Sequence, residues 1–253
     1  MATLEELRGE IDQIDVQLHD LLIRRVEIGR EVATAKAGAP AGGPNLRPGR
    51  EAQIMRRLAE RNREPLAIAS VARIWREILS ANLNQQITVN AAVFAPDTRV
   101  HDLAREYCGT ASAITAMDSA EAAVDTVASG AAQFAILPGI EAGQTWRWWP
   151  LLLGPTTDKP RILARLPYFT AGSNAVDAFI IGPQEPEPSG DDVTLFALKG
   201  DAAIDGGREI DRADMGEGWR LVEVNGYIDD LHGYDHPRED RYRLGAYATQ
   251  STL

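Results

Sequence analysis

The sequence predicts a multi-domain chain. An all-α module of three helices covers residues 1–86, an α/β layer covers 87–184, and a small α+β region covers 191–253. Three observations carry this reading. Apolar residues recur at three–four spacing through Leu4, Leu7, Ile11, Ile14, Leu18, Leu21, Ile28, Val32 and Ala35, the pattern of one long amphipathic helix with a coiled-coil-like seam. From Ile87 the texture changes to short apolar runs alternating with helical stretches, a β-α-β-α-β order. The Pro-rich stretch 183–190 reads as a linker before a last group of strands.

The first helix opens with a capping box, Thr3 and Glu6, whose side chains satisfy N–H groups left free at a helix start. Its apolar ladder is broken once, at Arg25. A guanidinium on an apolar seam must find anions, because an unpaired buried charge is too costly to keep. Lys36 lies eleven residues further on. That is close to three whole turns, so both cations share a face about 16 Å apart and can clamp a small dianion. Arg8 is about 25 Å from Arg25 on the same helix, too far to join the clamp from its own chain. A straight helix of roughly 50 Å cannot bury its seam inside a module this small. An antiparallel helix from a second copy would cover it and bring Arg8 of one chain towards Arg25 of the other. Spacing alone leaves open a plain bundle whose arginines pair with neighbouring acids.

Helix 1 ends in a Gly/Pro-rich stretch, with Arg47 near its end and Arg50 and Glu51 opening a second helix whose apolar face is Ile54, Met55 and Leu58. Pro65 suits the first turn of a third helix, whose stripe of Ile68, Val71, Ala72, Trp75, Ile78 and Leu79 continues into Asn82 and Gln86. Strands are predicted at 87–95, 111–116 and 133–138. Helices are predicted at 98–107 and at 118–129, the latter opened by an Asp118/Glu121 capping box. Trp146, Trp148 and Trp149 form an apolar cluster suited to a domain contact. Further strands are predicted at 161–168, 175–182, 193–199, 220–225 and 242–249.

Charge is uneven. Residues 1–86 carry 13 Lys and Arg against 12 Asp and Glu, and the remainder 13 against 25. Anion chemistry therefore belongs to the first part, and the net charge of −11 argues against nucleic acid. No apolar run approaches membrane-spanning length. No secretory leader is visible, and the single Cys108 excludes an internal disulfide, which together fit a cytoplasmic protein. His232 and His236 have metal-ligand spacing but no third ligand nearby, and His19 reads as a solvated helix position.

The first eighty-six residues resemble the all-helical chorismate mutases, especially the mutase module fused to prephenate dehydratase in the bifunctional P-protein. The resemblance is carried by Leu7 to Asp15, by Leu21-Leu22-Ile23-Arg24-Arg25, by Glu31 to Lys36, by Arg47-Pro48-Gly49-Arg50-Glu51 and by the end of helix 3 from Ile78 to Gln86. It implies Arg25, Lys36, Glu51 and Gln86 as catalytic residues and Arg8, Arg47, Arg50 and Asn82 as substrate-binding ones. Arg8 would be supplied across a homodimer, and Asn82 stands where serine is commoner. The implied reaction is the rearrangement of chorismate to prephenate, an intramolecular pericyclic shift that needs no cofactor, metal or nucleophile. Catalysis there means holding the reactive conformer and stabilising charge on the ether oxygen. Arginines suit the two carboxylates, Lys36 and Gln86 the ether oxygen, and Glu51 the substrate hydroxyl.

The remainder resembles the following dehydratase and ACT parts in degraded form. Ala123 to Pro138 looks like the dehydratase helix–strand, but Gly139-Ile140-Glu141 follows where the family has Glu-Asn-Ser. Asp177 and Ala178 occupy the place of the catalytic Thr-Arg, and the segment is about half the family's length. The stretch 190–199 looks like the start of an ACT domain without its phenylalanine-binding motifs. The resemblance therefore implies a mutase with a C-terminal region lacking dehydratase chemistry. Two alternatives are a full bifunctional enzyme and a non-catalytic, metabolite-binding regulatory protein.

Overall fold

The computed structural model describes residues 2–37, 46–141, 146–154, 159–170, 176–201, 204–213, 218–231 and 238–252, the side chains of residues 36, 37 and 238 excepted. Three helices come first: α1 (Leu4–Ala37), α2 (Pro48–Arg61) and α3 (Ile68–Asn84). The predicted capping box closes α1: the Glu6 amide donates to Thr3 Oγ1 at 3.2 Å and the Thr3 amide to Glu6 Oε2 at 2.7 Å. Helix α2 starts at Pro48, whose missing N–H costs nothing in a first turn. Pro65 does not open α3 as expected. It sits in a preceding turn, closed by Asn62 Nδ2 donating to the Leu66 carbonyl at 2.9 Å, and the helix begins at Ile68.

Helix α1 meets α3 through its C-terminal half, where residues 25, 29 and 30 face residues 78, 82 and 85. The contacts advance in step, so the two helices run in the same direction. The N-terminal half of the seam is left in water: Leu4, Leu7, Ile11, Leu18 and Leu21 are each 46–67% exposed. Helix α2 packs on α3 and on the sheet, burying Gly49, Ala52 and Met55.

The rest of the chain builds one sheet. Its elements in order are β1 (Asn90–Val93), α4 (Thr98–Cys108), β2 (Ala113–Ala116), α5 (Ala120–Ala128), β3 (Phe134–Pro138), β4 (Arg161–Leu166), β5 (Phe169–Thr170) and β6 (Ala178–Gly182). They are followed by β7 (Asp192–Lys199), β8 (Gly207–Ala213), β9 (Trp219–Asn225), β10 (Arg241–Ala248) and β11 (Ser251–Thr252). Nine strands lie in the order β2-β1-β3-β6-β4-β10-β7-β9-β8, and β5 pairs with β11 separately. Strands β2, β1 and β3 are parallel, as the β-α-β-α-β reading requires. Ser119 rather than Asp118 caps α5, its hydroxyl accepting from the Ala122 amide at 3.1 Å. Strand β8 escaped the sequence because its Gly-Arg-Glu-Ile-Asp-Arg-Ala run is polar, as edge strands tend to be.

The stretch 183–190 is a packed connection and not a free linker. The Ser189 amide donates to both carboxylate oxygens of Asp192, at 3.1 and 2.9 Å, and Arg56 of α2 donates to the Ser189 carbonyl at 3.0 Å. Hydrogen bonding crosses the boundary expected there, because β10 pairs with β4 at Gly245–Ile162. Among the described residues from 192 onward there are strands and one short 3-10 turn, so of the expected α+β, ACT-like region the strands are present.

Two of the predicted tryptophans tie the sheet's halves together. Trp148 and Trp149 are fully buried; Trp148 Nε1 donates to the Pro138 carbonyl of β3 at 2.8 Å and Trp149 Nε1 to Asp211 of β8 at 2.7 Å. Arg147 grips the same Asp211 with two nitrogens, at 2.6 and 3.0 Å. At the β4–β10 seam Gly245 has φ +148°, and an added Cβ would lie 2.1 Å from the Ile162 carbonyl oxygen. Gly245→Ala is therefore expected to cost at least about 1–3 kcal/mol, the range for overpacking, read as a lower urea midpoint; an unchanged midpoint would show the seam to be loose.

Candidate active site

Where α1 crosses α3, a cation stands without an anion. Arg25 is half-buried, and among the described residues it makes one hydrogen bond, a 3.5 Å donation to the Ile78 carbonyl, and pairs with no carboxylate. Burial pulls its guanidinium below the ordinary arginine range. One turn along, Gly29 lets α3 approach so closely that a Cβ there would lie 2.0 Å from Asn82 Oδ1. That oxygen is buried with no hydrogen-bond donor. Gln86 Nε2 donates to the Asn82 carbonyl at 3.5 Å. An under-solvated cation and a donor-less acceptor side by side constitute a polar site awaiting a ligand.

Of the sequence-predicted residues, Arg25 and Asn82 thus lie at the α1–α3 crossing, and Gln86 lies beside Asn82 in the turn after α3, two residues past the helix predicted to include it. The others lie elsewhere in the single chain. Arg47 is paired with Glu187 at 2.9 Å, and Arg50 donates to Gln53 at 3.1 Å. Arg8 is exposed on the uncovered half of α1. Lys36 belongs to the last turn of α1, its side chain outside the described residues, as are His232 and His236. His19 is exposed on α1, and Cys108 is buried.

Glu51 is held from behind. Its Oε2 accepts from Arg76 Nη1 of α3 at 2.7 Å and from the Tyr107 hydroxyl of α4 at 3.1 Å, and the Arg76 guanidinium lies 4.3 Å from the centre of the Tyr107 ring. Burial opposes the charge on Arg76, but the attraction of Glu51 outweighs it and holds the guanidinium above its usual range. Burial, reinforced by Glu51, also pushes the Tyr107 hydroxyl up, which keeps it a neutral donor. The sequence reading missed Arg76 and Tyr107. The signal was present: Arg76 follows Ala72 by four residues on the buried side of α3, an interruption of the same kind as Arg25. These groups border a cavity of about 470 Å³ between α2 and α3 on one side and α4 and β4 on the other.

Asp177, expected from the sequence to replace part of a Thr-Arg pair, is engaged by Arg165, whose Nε donates to it at 2.6 Å, and Ala178 is fully buried in β6. Arg165 also reaches Glu223 and lies over the rings of Phe179 and Tyr247.

Residues 7–87 match the family model for chorismate mutase type II. The matched region is therefore α1–α3 and the turn after them, the same segments that carry Arg25, Asn82 and Gln86. Among curated proteins the chain is 31% identical over 139 residues to the bifunctional chorismate mutase/prephenate dehydratase of Pseudomonas aeruginosa, covering 53% of this chain and 38% of that one. It is 28% identical over 143 residues to the protein of the same name from Aquifex aeolicus, covering 54% and 39%. The chain spans about two-fifths of the length of these relatives, and the similarity runs past the mutase-type region. Among solved structures, prephenate dehydratase from Streptococcus mutans superposes with a TM-score of 0.44 at 14% identity, over 66% of this chain and all of that one, a distant likeness.

The buried Glu51–Arg76 pair gives a stability test. Arg76→Met leaves a carboxylate desolvated beside Tyr107 and is expected to cost about 3–5 kcal/mol in urea unfolding. Glu51→Gln in the same chain should recover much of that loss. Equal stability of Arg76→Met and the parent would show that the pair is solvated.

Proposed function

We propose that the chain is a chorismate mutase that converts chorismate to prephenate, in the biosynthesis of aromatic amino acids in the cytoplasm. The observation that carries this reading is Arg25: a half-buried guanidinium without a carboxylate, next to the orphaned Asn82 oxygen and to Gln86, inside the region that matches the mutase family. A substrate carboxylate supplies Arg25 with its missing anion in a charge-assisted pair. Gln86 and Lys36 donate to the ether oxygen as the C–O bond breaks, and Asn82 Oδ1 accepts from a substrate hydroxyl. Arg50 and Arg47 bind the second carboxylate at the edge of the site, and Glu51 orients α2 from its place against Arg76. The reaction is intramolecular, so these groups act by holding the reactive conformer and stabilising charge on oxygen.

The functional unit in this reading is a homodimer through α1. The apolar seam exposed in one chain supports it, since a second copy would cover the seam and carry Arg8 to the Arg25 site. Nucleic acid and membrane have no part in it; no helix among the described residues is long and apolar enough to cross a membrane. The sheet region serves as a scaffold without dehydratase chemistry, supported by Asp177 and Ala178 at the Thr-Arg place. Asp177 and its neighbour Glu223 would repel a dianionic substrate, and Arg165 is already committed to them. The alternative bifunctional reading draws on the relatives' names and on similarity beyond the helices.

Arg25→Ala is expected to lower turnover on the order of 10²-fold or more, with the far-ultraviolet spectrum unchanged, because a desolvated bidentate contact is lost. The assay follows loss of chorismate; near-normal turnover would move the substrate off α1. The intact protein incubated with prephenate at neutral pH is expected to yield phenylpyruvate at the spontaneous rate only. Faster formation would establish the bifunctional reading.

A further inference from the structure

Two features of the α1–α3 crossing are each unfavourable for stability. Gly29 is buried in the interior of α1, where glycine is worse than alanine because it has more backbone freedom to lose. Asn82, opposite it on α3, keeps Oδ1 buried with no donor, and an unpaired buried acceptor loses its hydration without replacement.

The two features meet. A Cβ added to Gly29 would lie 2.0 Å from Asn82 Oδ1, 2.8 Å from its Cγ and 3.0 Å from its Nδ2. The amide therefore occupies the space that a side chain at position 29 would take. It could not lean aside to make room. An asparagine has two side-chain torsions, and on a helix the first is confined to two of the three staggered wells, so leaving this place takes a full rotamer change. Arg25 and Ile78, which meet by a hydrogen bond, each lie one turn before this pair on their helices. Gln86, four residues after Asn82, donates through Nε2 to the Asn82 carbonyl at 3.5 Å. The amide is thus a near neighbour of both the cation and the glutamine of the proposed substrate site. A fixed acceptor in such a place discriminates: a ligand that brings a donor pairs with it, and one that brings a hydrogen on carbon leaves it unpaired.

We propose that Gly29 is a positioning residue: by having no side chain it holds the Asn82 amide at the crossing, where Oδ1 selects a substrate with a hydroxyl at that point. The inference rests on the reading of the chain as a chorismate mutase and adds the source of its preference for the hydroxylated substrate.

The test uses the full chain and three variants, Gly29→Ala, Asn82→Ala and the two together, with folding checked by far-ultraviolet spectra. For each, kcat/KM relative to the spontaneous rate is measured with chorismate and with the analogue in which hydrogen replaces the ring hydroxyl. The unmutated protein is expected to favour chorismate at least about 10-fold, and each single variant to lose most of that preference. Gly29→Ala is expected to lower kcat/KM for chorismate at least about 10-fold when Asn82 is present. In the Asn82→Ala chain, where the amide is already gone, the same change is expected to act within about 2-fold. A purely structural role for Gly29 would slow both substrates alike and leave the preference intact, and that result would overturn the proposal. So would an equal loss from Gly29→Ala with and without the amide. Asn82→Ala leaves the space beside Gly29 open, so a preference retained in that variant overturns the proposal even if Gly29→Ala does not fold. An unmutated chain that does not turn over chorismate overturns the mutase reading and this inference with it. Turnover combined with any of the contrary results above overturns this inference alone.

Discussion

An apolar ladder on one face of a 34-residue helix cannot be content with water on that face, and the rest of the molecule answers to that constraint. Within one chain, α3 shelters only a short stretch of α1 around Arg25, Val26 and Gly29, and even there the ladder residues Ile28 and Val32 stay 45% and 44% exposed. Arg25, the ladder's one charged rung, is half-buried at that crossing, and the exposed apolar rungs on either side of it demand another surface. The site and the association proposed here are two consequences of one sequence pattern. The same helix supplies Arg25 where it is covered and Arg8 where it is not.

The sheet region matters to the mutase-type helices through α2. That helix has no extensive packing on α1 and instead lies between α3 and the sheet, fastened by Arg47 to Glu187, by Arg56 to the Ser189 carbonyl, and by Glu51 to Arg76 and Tyr107. Arg50, adjacent in sequence to Glu51, therefore takes its position from contacts made on the opposite side of the helix. Whatever its own chemistry, the sheet region has physical work in this arrangement: it sets where one wall of the proposed substrate site stands.

Much of this was legible in the sequence because periodicity reports burial directly. The three–four ladder, the Thr3–Glu6 box and the interruption at Arg25 translate into α1, its cap and its half-buried cation without further information. The parallel β1–β3 layer was legible for the same reason. What the sequence concealed depends on partners distant in the chain. The resemblance gives Glu51 a substrate hydroxyl, and only the approach of α4, bringing Tyr107 from fifty-six positions away, shows its contacts within the chain. The 183–190 stretch has a linker's composition, yet its backbone groups are taken up by Asp192 and by α2. Strand β8 has no apolar alternation to announce it, because it lies at the edge of the sheet with β9 as its strand neighbour and much of its side-chain surface in polar contacts.

The central claim is that one chain's Arg25 and another chain's Arg8 make a single site. Co-expression of Arg8→Ala and Arg25→Ala chains, each inactive as a homodimer, tests it most directly. Half of the dimers formed at random are mixed, and each of these holds one site with both arginines intact. The account predicts recovery of about a quarter of the activity of the unmutated protein. Mixed dimers isolated with two different tags and found as inactive as either parent would contradict it.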